Sequence, residues 1–71
     1  MTEATALAAA AASSDPGEGL RAVAALRRLL ERLEDAQVRS ARRNGWAWQA
    51  IADSLGVSRQ AVHKKHGGKG R

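Results

Sequence analysis

Ser58, Arg59, Gln60, His63 and Lys64 lie within seven residues of one another and carry hydrogen-bonding side chains at helical spacing. A guanidinium fork matches O6 and N7 of guanine, and a carboxamide matches N6 and N7 of adenine. Helices that read a groove do so mainly from their first turns. Arg59, Gln60 and His63 are therefore the candidate base contacts. Ser58 suits either a helix cap or a contact to base or phosphate, and Lys64 suits base or phosphate. Gln49, Arg42, Arg43 and Lys65 are candidate phosphate contacts, Gln49 through its backbone at a helix start that favours anions. Arg42 and Arg43 equally suit the negative end of a preceding helix dipole.

Two short helices must hold these groups in place, and the stretch Trp48–Lys65 (WQAIADSLGVSRQAVHKK) reads as that pair. Two helices cross closely only where one carries a small residue, which Ala52 supplies. Gly56 accepts the positive φ needed just past a helix end. Ile51, Leu55, Val57 and Val62 are spaced to fill the gap between the helices, and Trp48 is in register with Ala52 and Leu55. The expected core is thus Trp48, Ile51, Ala52, Leu55, Gly56, Val57 and Val62, with helices at about 47–55 and 59–66. Trp46 is expected against the end of the helix before them.

That helix is expected over Leu20–Arg43, a run of 24 positions free of Pro and Gly that ends at Asn44-Gly45. Val23, Leu26, Leu30 and Leu33 fall at spacings of three and four, and Leu29 and Ala36 widen the stripe. At 1.5 Å per residue the helix is about 36 Å long, more than two short helices cover. Leu20–Leu33 therefore reads as a dimerisation seam, a bent helix folding back on its own domain being the alternative. Gln37 and Ser40 continue the stripe with polar residues, so any coiled coil is short. Residues 1–19 end in Ser13-Ser14-Asp15-Pro16-Gly17-Glu18-Gly19 and read as a disordered arm. Residues 67–71 read as a flexible basic tail.

The stretch Gly45–Lys65, GWAWQAIADSLGVSRQAVHKK, resembles the helix-turn-helix of the resolvase and sigma-factor region 4 type. Leu20–His66 as a whole looks like small actinobacterial helix-turn-helix proteins that join a leucine-rich helix to such an ending. The resemblance implies an all-α fold, a third helix in the major groove, a role as transcriptional regulator and no cofactor. Two departures stand out. Ala47 occupies a position where Ser or Thr would cap the second helix, at a cost of about 1 kcal/mol. Lys65 replaces an apolar residue frequent in the wider superfamily, implying a short or fraying helix or a lysine head swung out to phosphate.

Charge agrees with a polyanionic partner. Residues 1–35 hold four Arg against six acids, net −2, whereas residues 36–71 hold eight Lys and Arg against Asp53 alone, net +7. A half so basic attracts polyanions, through counterion release if the partner is DNA, a merely solvated basic face being the alternative. Seventy-one residues without cysteine allow one small domain, marginal by itself and braced by no disulfide or thiolate metal site. His63 and His66 share a helix face, but no convincing third ligand accompanies them, so no metal is expected. No nucleophile, base and orienting group converge, so no enzymatic activity is expected. No segment reads as a membrane span or signal peptide, which points to the cytoplasm and its nucleoid, and no small-molecule ligand is evident. The expected function is sequence-specific binding of double-stranded DNA as a homodimer. A nucleoid-associated protein of low sequence preference is the second reading, and an adaptor or antitoxin-like module with a protein partner the third.

Overall fold

The computed structural model describes residues 2–68. It is all-helical over these residues, in the order α1 (Glu3–Ala11), α2 (Pro16–Arg43), α3 (Trp48–Leu55) and α4 (Arg59–His66). The expected long helix followed by a helix-turn-helix is present. The chain divides into two units, Met1–Leu33 and Glu34–Arg71, and α2 contributes residues to both.

The first unit corrects the expectation of a disordered arm. Thr2 caps α1, its hydroxyl accepting a hydrogen bond from the Thr5 amide at 3.1 Å. The alanine run that follows has the highest helix propensity of any residue type. No α1 residue is buried, so capping and propensity carry this helix. The breaker cluster after it starts the next helix early: the Asp15 carboxylate accepts from the Glu18 amide at 3.0 Å, and Pro16 occupies the first helical position, where its missing N–H costs nothing. Hence α2 begins at Pro16 and not at Leu20, and runs for 28 residues. Within this unit Gly19 and Ala22 are buried. Leu20, Val23, Leu30 and Leu33 are exposed, Leu20 by 69% and Leu30 by 62%; Leu26 and Leu29 are half-buried.

The second unit holds the core. Val38 from α2, Ile51 and Ala52 from α3 and Val62 from α4 form one buried cluster, with Ala41 and Trp48 packed against it. Ala52 is fully buried, as expected for the small residue that lets α3 and α4 approach. The two turns of this unit share one geometry. At the end of α2, the Gly45 amide donates to Arg42 O and the Trp46 amide to Ala41 O; at the end of α3, the Gly56 amide donates to Asp53 O and the Val57 amide to Ala52 O. This is the Schellman pattern, and it needs a left-handed residue, which Gly45 (φ 83°) and Gly56 (φ 74°) supply.

Leu55, Gly56 and Val57 depart from the expected core: all three are exposed, Leu55 by 41% and Val57 by 47%. Val57 serves the turn through its backbone, and Leu55 ends its helix at the rim. Residues Gly67 and Gly68 form a turn; the rest of the expected basic tail, 69–71, lies outside the described residues.

Candidate nucleic-acid interface

α4 is built so that one face is committed inward and the other is left to solvent. Ser58 starts it, with its Oγ accepting from the Ala61 amide at 3.0 Å, so its capping role is realised. Val62 and His66, four apart, are the buried residues of the helix. Gln60 and Lys64, also four apart, stand opposite them at 3.6 residues per turn. Both are exposed, as is Arg59 in the first turn.

His63, one turn after Arg59 and exposed as Arg59 and Gln60 are, leans toward α3. Its ring meets the Trp48 ring edge-on, with centroids 5.2 Å apart and planes at 88°. Trp48 is also covered by Arg42, whose guanidinium carbon lies 4.5 Å from the indole centroid. Arg42 further donates from a guanidinium nitrogen to Trp46 O at 2.8 Å. Trp48 therefore joins three elements of this unit, consistent with the core position expected of it. Trp46 is 45% exposed and lines, with Val38, Ala41, Ile51 and Leu55, an open groove of about 300 Å³.

The far end of α4 is pinned by a cluster that sequence reasoning missed. The His66 side chain is 3% exposed, and its Nε2 lies 2.7 Å from Glu34 Oε2. Its Nδ1 lies 3.4 Å from Asp35 Oδ1, and Asp35 also pairs with Arg39 one turn on. Lys65 Nζ reaches Glu34 Oε2 at 3.1 Å. The head of Lys65 thus meets a carboxylate of α2, and α4 continues one residue beyond it to His66. The His66 bond and then Lys65 hold the Glu34 carboxyl below its ordinary range, against a smaller opposing effect of burial. The two partners lie 32 residues apart, too far for local spacing to reveal. The available signal was His66 standing one turn after Val62 on the inward face.

The other phosphate candidates divide. Arg43 is exposed and has no side-chain partner among the described residues. Gln49 donates one carboxamide N–H to Asp53 Oδ1 at 2.9 Å, and its backbone amide stands at the start of α3. Ala47 precedes α3 without a side-chain cap, as its residue type requires. Among the described residues no group of three or more His, Cys, Asp or Glu side chains is placed to hold a metal, and no helix is long and apolar enough to cross a membrane. Compared with protein-family models, with curated proteins and with solved structures, the chain finds no match.

Proposed function

We propose that the protein binds duplex DNA sequence-specifically as a homodimer and acts as a transcriptional regulator on the nucleoid. The observation that carries this reading is the outward face of α4. Gln60 and Lys64 are exposed opposite Val62 and His66, which are spent on the core, and Arg59 is exposed in the first turn. A helix about 10–12 Å across fits a major groove about 12 Å wide, and these three side chains offer donors to base edges and phosphates. The net charge of +7 over residues 36–71 supports the same partner. Pairing of two copies through the first half of α2 is supported by the exposed Leu20, Val23, Leu30 and Leu33. Two recognition helices in such a dimer read half-sites about 34 Å apart.

The reading is tested by anisotropy titrations of Arg59→Ala and Gln60→Ala against a panel of duplexes. Each substitution is expected to cost about 1–3 kcal/mol on the preferred sequence and to relax selectivity at one base position. A uniform loss on every duplex would reassign the residue to phosphate. Sedimentation of Leu30→Lys is expected to give monomer where the unaltered chain gives dimer. An unaltered chain that stays monomeric at high micromolar concentration, with and without DNA, contradicts the pairing.

A further inference from the structure

The end of α2 carries Arg39, Arg42 and Arg43, three guanidiniums within five residues. With Trp48 and the His66–Gly67 end of α4 they line an open cleft of about 480 Å³. Asp35 is the acid in this lining, and Arg39 is already paired with it. Among the described residues, Arg42 and Arg43 have no carboxylate partner. Arg42 is oriented in advance, stacked on Trp48 and bonded to Trp46 O. That bond uses one of its five N–H donors, and a side chain already ordered loses less entropy on taking a further partner.

A helix C-terminus ordinarily repels anions through its bare carbonyls. Here that repulsion is reduced, because Ala41 O and Arg42 O accept the Trp46 and Gly45 amides. The opposite wall is fixed by the His66–Glu34 bond, which ties the end of α4 to α2. The cleft therefore combines guanidiniums without a carboxylate among the described residues, a platform that positions one of them, and a wall tied to α2.

We infer that this cleft seats a phosphate group, one backbone phosphodiester of the duplex in each protomer. Arg43 and Arg42 are the donors, and Trp48 is the positioning residue behind Arg42. The inference rests on the duplex-binding reading and adds to it a fixed point that sets how α4 enters the groove.

The test is the salt dependence of duplex affinity for the unaltered chain, for Arg43→Ala and for Arg27→Ala, an exposed arginine of the other unit. Arg43→Ala is expected to lower the steepness of log K against log salt by about 0.9 per protomer, equally on all sequences and with an unchanged melting curve. Arg27→Ala is expected to leave the steepness as it was. An unchanged steepness in Arg43→Ala, with the unaltered chain still binding, overturns the cleft while sparing the duplex reading. No binding by the unaltered chain removes both. Inorganic phosphate is the second probe. A shift of the Trp48 indole N–H resonance on adding it, together with an unchanged steepness in Arg43→Ala, assigns the cleft to free phosphate and overturns the phosphodiester.

Discussion

The two units of this chain reach helical structure by different physical routes. In the second, Val38, Ile51, Ala52 and Val62 are buried together, and tertiary contacts decide where α3 and α4 lie. In the first, α1 buries nothing, and the large side chains Leu20, Val23, Leu30 and Leu33 of α2 are exposed. One unit has a packed core and an exposed polar face; the other has an exposed apolar face and, among its described residues, buries only Gly19 and Ala22. A helix held by caps and alanine propensity responds to local changes, whereas a helix held by packing responds to changes anywhere in its cluster.

Trp48→Ala breaks that contrast hardest. It removes the ring that Arg42 and His63 both contact, and truncation of a packed Trp costs about 3–5 kcal/mol. In a unit of this size the cooperative thermal transition is expected to disappear, while α1 helicity, followed by backbone amide resonances, persists. A transition surviving intact in Trp48→Ala would reject the core role.

Next in size is the Glu34 cluster. Because His66 and Lys65 hold its carboxyl below the ordinary range, Glu34 contributes stability that is fully present above its unfolded value of about 4.3. That contribution is lost as pH falls through the lower folded value. Melting curves of Glu34→Gln are expected to show a loss of about 1.5 kcal/mol at neutral pH and a weaker decline on acidification. An unaltered acid decline would place the responsible carboxylate elsewhere.

Smaller effects separate the units more finely. Ala8→Gly is expected to cost α1 about 1 kcal/mol and to leave the α3–α4 melting transition unmoved. Ala47→Ser is expected to raise the stability of the second unit by up to about 1 kcal/mol by supplying the missing cap on α3. A gain confined to α1, or none at all, would count against the cap geometry at Ala47.

Much of the second unit was legible in the sequence because its determinants are local. Gly45 and Gly56 mark left-handed turns, Ser58 marks a cap, and the spacing of Ile51 and Val62 marks an inward face. The same spacing misled at Leu55 and Val57, since periodicity reports which side a residue faces and not whether anything covers it. Residues 1–19 were misread for a related reason. A breaker cluster suggests an end to structure, yet Asp15 and Pro16 are also the cap and first residue of a helix. Of the candidate interface, Arg59, Gln60 and Lys64 were visible as types at a spacing. The engagement of His63 with Trp48 and of Lys65 with Glu34 depends on which helices meet, and no local pattern encodes that.

Whether α4 reads duplex sequence is decided by selection of the purified chain against random duplex DNA at near-physiological salt. An enriched motif of two half-sites about one helical turn apart is expected, lost selectively in Arg59→Ala and Gln60→Ala. Salt-sensitive binding with no enrichment would contradict sequence reading and leave a DNA-coating protein; no binding at all would contradict the duplex as partner.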